Sequence, residues 1–285
     1  MSIVFDQVSY TYGPNAPYQA LNQVSCTIEL GSFSGIIGHT GSGKSTFLEH
    51  INGLKTPSSG KVLINGLDTS NKEDKKEIRK LVGFVAQNPE HQLFAETVFD
   101  DIAFGPLHTG AKKEELTSIV EKSLRRLEVE PTAELLASSP FDLSGGQQRR
   151  IALAGILAME PQILAMDEPL AGLDPQGRQQ VLKLCQRLNN EGITIVMISH
   201  SMDEIAEVAD HIIVMNKGEL IEHGRVEKIF SEPEKLKRLG LDIPEASKYY
   251  FELKKRGVDL GDFVYTLDQL ADAIAAYKAG GVDGI

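Results

Sequence analysis

No stretch of this chain approaches the roughly 18 consecutive apolar residues that a membrane-spanning helix needs, although 41% of its residues are hydrophobic. The first residues, MSIVFDQVSY, have neither the basic start nor the apolar stretch of a secretory signal. The expectation is a protein that neither inserts into a membrane nor is exported by its own means. Cysteine is scarce: Cys26 and Cys185 stand far apart, without CxxC or metal-type spacing. Both read as buried, reduced thiols of a cytosolic protein. Positive charge is in deficit, the formal net charge being −11. Nucleic-acid affinity comes largely from Lys and Arg neutralising phosphates, so no nucleic-acid partner is expected. Long internal repeats and low-complexity tracts are absent too. What is present is a 285-residue chain with enough apolar content for a true core, as one large domain with an appendage or two modest ones.

The N-terminal third reads as strands separated by turns: SIVFDQVSYTY, NQVSCTIEL and SFSGIIG, punctuated at Gly13, Pro14 and Gly31. Val24, Cys26, Ile28 and Leu30 alternate with polar residues, as a half-buried strand requires. The apolar run FSGIIG enters a glycine-rich loop, and STFLEHINGL follows with helical spacing. The mixed-charge residues 71–80 read as a solvated helix face. Residues of about 88–160 read mainly as helices, a helical insertion. Strand character returns at QILAMDEP and ITIVMISH, with the helix-like QGRQQVLKLCQRLNN between them, and HIIVMNKGELIEHG reads as a hairpin turning at residues 216–218. This alternation predicts an α/β fold, a mostly parallel sheet covered by helices.

The pattern changes after Ile229, and we place a domain boundary at 231, with residues 232–285 as a small C-terminal helical extension. There Ala246, Tyr249, Tyr250 and Leu253 fall on one helical stripe, and Leu267, Leu270, Ala271 and Ile274 on another. Thr266 and Gln269 have capping-box spacing, and the terminal AGGVDGI is expected to fray.

Three motifs carry chemistry. Gly38, His39, Thr40, Gly41, Ser42, Gly43, Lys44, Ser45 and Thr46 fit the phosphate-binding pattern GxxxxGK[ST], in the strand-loop-helix context it requires. Its glycines let backbone N–H groups turn onto phosphates, aided by the positive end of the next helix. Lys44 should reach the β and γ phosphates, and Ser45 a Mg²⁺ ion. In ILAMDE a buried strand delivers Asp167 to its end, to hold Mg²⁺ directly or through water, and then Glu168, the candidate general base for an attacking water. Acid pairs after strands can also be helix-start chemistry, so this motif gains its weight from the phosphate loop. The third motif is Leu143 followed by Ser144, Gly145, Gly146 and Gln147 at a helix start, a second anion-binding site. A plain N-cap explains Ser144 but not two costly glycines in a first turn.

With these residues in place, the sequence closely resembles the ATPase subunits of ABC transporters, from about residue 3 to 230. The resemblance implies the P-loop ABC ATPase fold, with a mixed, mostly parallel sheet and a helical subdomain. It also implies that the LSGGQ element of one protomer closes over ATP held by another. It makes Gln87 the glutamine that senses Mg²⁺ and water, Asp174 a residue of the loop across the dimer interface, His200 the switch histidine at the γ phosphate, and Tyr12 the ring that stacks on adenine. The NKGE of residues 216–219 looks like a guanine-reading NKxD, but Glu replaces the Asp and a hairpin turn explains it better. A chromosome or ribosome ATPase of this family would show a long coiled-coil insertion, two cassettes or a basic surface, and none is present.

The stretches QNPEHQLFAETVFDDIAFGP and SPFDLSGGQQRRIALAGILAMEP resemble the ATPases of energy-coupling factor importers, and GHTGSGKST resembles the second of their two paralogues. That likeness implies an ATP- and Mg²⁺-dependent ATPase at the cytoplasmic face of the cell membrane, driving uptake of vitamins or transition-metal ions. Its implied partners are a paralogous ATPase rather than a second copy, a transmembrane coupling protein and a membrane substrate-binding subunit. The extension resembles the region that holds such ATPases together. Leu170 departs from the Thr usual after DEP, at a position without an assigned role.

Overall fold

The computed structural model describes residues 2–13 and 18–279, so Pro14 and residues 280–285 of the segment expected to fray lie outside it. In chain order the first elements are β1 (Ser2–Tyr10), β2 (Leu21–Glu29), β3 (Phe33–Ile37), α1 (Lys44–Ile51), β4 (Ser59–Ile64), β5 (Leu67–Asp68), α2 (Lys72–Leu81) and β6 (Val82–Val85). The helical insertion holds α3 (Val98–Thr109), α4 (Leu116–Arg126), α5 (Ala133–Ala137) and α6 (Gly145–Leu157). Then follow β7 (Ile163–Asp167), α7 (Pro175–Asn190), β8 (Thr194–Ile198), α8 (Met202–Val208), β9 (His211–Asn216), β10 (Glu219–Arg225), α9 (Val226–Phe230), α10 (Pro233–Arg238), α11 (Glu245–Lys255) and α12 (Leu267–Ala279).

Two sheets result. A four-stranded antiparallel sheet has the order β2-β1-β4-β5, and a six-stranded sheet has the order β10-β9-β3-β8-β7-β6, parallel except for the β9-β10 hairpin. Every residue of β3 and β8 is buried, and in β7 every residue but Asp167. Strands covered on both faces must be continuous apolar runs, which is how FSGII, TIVMI and ILAM read. The strand order positions the site. β3, β8 and β7 are neighbours, with Ile36 level with Ile198 and Ile198 level with Asp167. The loops that follow them therefore leave the sheet at one edge, at the carboxyl ends where α/β sheets hold ligands. β6 pairs with β7 and brings Gln87 to the same edge.

One core fills the space between the two sheets around α1, with Phe5 stacked on Phe47 at 4.0 Å. A larger one lies under the opposite face, against α3, α4, α6 and α7. Cys185 lies buried in it; Cys26 is half-buried on β2, and burial pushes both thiols up to about 12, as inert structural cysteines require. Residues 71–80 form a solvated helix as expected, capped by the Asn71 side chain, which accepts from Glu73 N at 2.8 Å.

The extension differs from its predicted stripes. Tyr249 is 57% and Leu267 63% exposed, and Ala271 is exposed too. The inward faces are Ala246, Ser247 and Tyr250 on α11 and Leu270, Ala273 and Ile274 on α12. Each helix is rotated by about one residue from the expected stripe, because apolar side chains on both flanks made the period ambiguous. Thr266 and Gln269 do form the capping box, Gln269 N donating to Thr266 Oγ1 at 3.3 Å and Thr266 N to Gln269 Oε1 at 3.2 Å. Leu236, Leu241 and Ile243 belong to the larger core, so a cluster proper to the extension begins only with α11.

Candidate active site

The phosphate loop, residues 38–46, is fixed by what its glycines avoid. A Cβ on Gly38 would lie 2.4 Å from Met215 O, and one on Gly43, whose φ is +102°, would lie 2.3 Å from Ala20 O. Gly41 has open space around it but sits at φ +79°, a conformation that costs any other residue. The hairpin turn at residues 216–218 braces this loop, Gly218 N donating to Ser42 O at 2.9 Å. A structural turn is thus what NKGE encodes. Lys44 Nζ donates to Gly38 O at 2.8 Å and to His39 O at 2.9 Å, which stations the ammonium inside the loop. Burial draws its pKa down, against the opposing pull of Glu168 and Asp167.

Facing Lys44 are the two acids at the end of β7. Burial raises the Asp167 pKa, the neighbouring Glu168 adds to this, and the Ser45 hydroxyl, Lys44 and His200 oppose it. Ser45, Asp167 and the Gln87 amide oxygen are hard oxygen donors of the kind Mg²⁺ takes, and a carboxylate whose burial is under-compensated suits a cation. Glu168 is held in the left-handed region, at φ 49°, its N–H donating to Ile198 O at 3.2 Å. Non-glycine residues in that conformation persist only where their surroundings over-determine them. Here the result is convergence: Glu168 Oε1 lies 2.7 Å from His200 Nε2, and Glu168 Oε2 accepts from Gln87 Nε2 at 3.3 Å. Residues from after β6, β7 and β8 thus meet on one carboxylate.

A cleft of about 230 Å³ runs from these residues along the phosphate loop to Tyr12 and Tyr18. Tyr12 is 59% exposed, its hydroxyl is 2.9 Å from Thr46 Oγ1, and Lys55 Nζ lies 5.1 Å from its ring centroid. The ring is therefore anchored at its tip with its body available to a flat ligand.

Ser144, Gly145, Gly146, Gln147 and Asp174 are not brought to Lys44. Ser144 caps α6 and pairs with Gln147, donating to its Oε1 through N at 3.1 Å and through Oγ at 2.9 Å. Asp174 caps α7 by accepting from Gly177 N at 2.7 Å. Both helix starts open onto a second cleft of about 420 Å³, which shares no lining residue with the first. A Cβ on Gly145 or Gly146 would meet nothing within 4 Å, so nothing in this chain's packing requires glycine there.

Sequence reasoning missed Arg149. It is 7% exposed, and its guanidinium donates to Ala171 O at 3.3 Å, to Gln87 O at 3.5 Å and to Pro169 O. It therefore ties α6 to the loops after β6 and β7. Its place three and four residues before Ala152 and Leu153, on the buried face of α6, was the available signal. Tyr18 and Lys55 offered none.

Residues 21–171 match the ABC transporter family. The chain is 46% identical over 283 residues to the energy-coupling factor transporter ATP-binding protein EcfA2 of Symbiobacterium thermophilum, covering 98% of each. To the protein of the same name from Clostridium perfringens it is 44% identical, over 96% of this chain and 97% of that one. Among solved structures it is similar to cbiO1 from Clostridium perfringens, part of the ABC transporter complex cbiONQ. That match has a TM-score of 0.71 at 32% identity, over 84% of this chain and 94% of that one. It is also similar to the ATP-binding cassette MJ0796 in a dimeric post-hydrolysis state bound to ADP and Pi, with a TM-score of 0.70 at 29% identity, over 79% and 98%.

Proposed function

The chain belongs to the ABC transporter family, among the ATP-binding subunits of energy-coupling factor importers, and from that premise we propose how its residues use ATP. It is an ATPase that pairs with a second ATPase and works against a transmembrane partner. Two chains sandwich two ATP molecules. Each site combines Lys44, Asp167 and Glu168 of one chain with the partner's equivalent of residues 144–147. The partner is a paralogue, the coupling protein also carries a membrane substrate-binding subunit, and the cargo is a vitamin or transition-metal ion. The assembly sits at the cytoplasmic face of the membrane.

One observation carries this reading: Gln87 and His200 both engage the Glu168 carboxylate beside Lys44 and Asp167, while the LSGGQ face opens elsewhere. Glu168 is the base that orients the attacking water, held on target by His200 and Gln87. Tyr12 stacks on the base, and the main chain of residues 38–46 with Lys44 takes the phosphates. Ser45, Asp167 and Gln87 would hold Mg²⁺, which supplies charge neutralisation on the β and γ phosphates when bound. ATP favours the closed pair because its γ phosphate touches both halves, and hydrolysis removes that differential binding. The main-chain oxygen of Gln87 also accepts from Arg149 of the helical insertion, in which Phe94, Phe104 and Phe141 are exposed at 58%, 44% and 58% and support docking of the coupling protein.

The test is Glu168→Gln in the purified transporter. Turnover should fall by about 100-fold or more while ATP stays bound and holds the pair closed. Hydrolysis at the unaltered rate would remove Glu168 from the role of base.

A further inference from the structure

The phosphate loop contains a residue that phosphate binding does not explain. His39 contributes its main-chain oxygen to Lys44, but its side chain does not line the nucleotide cleft. The ring instead crosses to the start of the extension, where Nε2 donates to Leu239 O, two hundred residues away in sequence. Leu239 and Gly240 form the turn that ends α10, closed by Gly240 N donating to Lys237 O at 2.8 Å and Leu241 N to Leu236 O at 2.9 Å. Gly240 is at φ +65°, and a Cβ on it would lie 2.9 Å from His39 Cε1 and 3.1 Å from Nε2. The turn's conformation and the close approach of the imidazole each call for glycine.

From that turn the chain runs through Leu241 and Ile243, 7% and 5% exposed, both packed into the larger core. At its far end Glu245 N, in the first turn of α11, donates to Asp203 Oδ1 at 2.8 Å. Asp203 lies in the first turn of α8, three residues after His200. α8 is itself tied back to that loop, Glu204 N donating to Ser201 Oγ at 3.3 Å and Ser199 Oγ to Glu204 Oε2 at 2.6 Å.

We infer that residues 239–245 are a strap, pinned to the phosphate loop by His39 and to α8 by Asp203, and that this strap positions the phosphate loop and the His200 loop, which grip the ATP phosphates. His39 and Asp203 are positioning residues, and Gly240 is what lets the strap come close enough. Two attachments with a buried apolar span between them make a stiff connection, because each end is set by a hydrogen bond and the middle by packing. The strap rests on the reading of residues 38–46 as the ATP loop, but not on any role of the extension in pairing.

The experiment is steady-state ATP turnover by the purified transporter, with binding of a fluorescent ATP analogue to the same preparation. Losing one such hydrogen bond corresponds to roughly a three- to tenfold effect. Gly240→Ala should therefore raise KM for ATP by about that factor and leave kcat within about twofold. His39→Ala should raise it similarly, and the two together by clearly less than the product of the single effects, since both break the same contact. His39→Gln, which keeps a donor near the position of Nε2, should recover most of the affinity that His39→Ala loses. A KM unchanged by Gly240→Ala would overturn the strap. So would strictly additive effects of the two changes. If Gly240→Ala does not fold, the His39→Ala and His39→Gln pair decides alone, equal affinity in the two being the overturning result. Lys44→Ala runs alongside: normal ATP binding in that variant would bring down the nucleotide reading itself, which silence of Gly240→Ala does not do.

Discussion

At the scale of single residues, the site costs the fold something. Asp167 has a pKa raised chiefly by burial, so its folded form holds a proton more firmly than its unfolded form. The sign follows: below the ordinary Asp range both forms are protonated and nothing is lost, and as pH rises past it the buried carboxylate increasingly destabilises the fold. Asp167→Asn should therefore raise the Tm of the nucleotide-free chain near pH 7, and the gain should vanish at about pH 3. Thermal melts of both proteins at the two pH values check this; a gain equally large in acid would contradict it. The same variant should be inactive, as expected where a destabilising residue is kept for function. How far single residues could be read in advance depended on whether their chemistry or their packing mattered. Lys44, Asp167, Glu168 and His200 follow apolar strands, and such strands announce where a sheet ends. Arg149 sits between Gln148 and Arg150, where a charged residue reads as solvated, and only tertiary packing buries it. His39 reads with its neighbours as a phosphate ligand, because nothing local says that its ring belongs to a turn near residue 240.

At the scale of elements, the first turn of α6 separates what the chain needs from what its partner needs. Gly145 and Gly146 have helical neighbours, and a methyl group at either would meet nothing in this chain. Glycine within a helix is less favourable than alanine by roughly 0.5–1 kcal/mol. Gly146→Ala should thus stabilise the isolated subunit, raising its Tm slightly, yet lower ATP turnover of the assembled transporter by about tenfold or more, because the added methyl group holds the phosphate away from the backbone N–H donors of this turn. Melting and turnover measured on one preparation make the contrast. Unimpaired turnover would mean that nothing approaches this backbone from outside. The elements themselves were uneven to read. β3, α1, β7, β8 and the β9-β10 hairpin stood out because a fully buried strand, a glycine loop and a tight turn each have strong local signatures. β6 did not: it has four residues and begins directly after the last residue of α2, so no period can establish itself. β4 opens with the exposed residues 59–61, and its place beside β1 is a long-range pairing.

At the scale of the whole molecule, what is left unpaired on the surface indicates where the chain meets others. No helix among the described residues is long and apolar enough to cross a membrane, so work against a transmembrane partner must pass through such surfaces. Tyr249 and Leu267, expected inside the extension, are instead among its exposed large side chains. Their exposure supports the extension as a pairing surface for the two ATPases. Removing residues 232–285 would test that poorly, because Leu236, Leu241 and Ile243 would leave the larger core and the strap would go with them. Tyr249→Glu combined with Leu267→Glu is cleaner. Both side chains are solvent-facing in the single chain, so its Tm should change little. Where they are buried against the partner, two carboxylates lose apolar contact and must be desolvated, which should weaken association at least tenfold. Sedimentation of the ATPase pair without ATP reads this directly, since the nucleotide sandwich then contributes nothing. Unaltered pairing in the double variant would leave the extension with the strap as its one connection to catalysis.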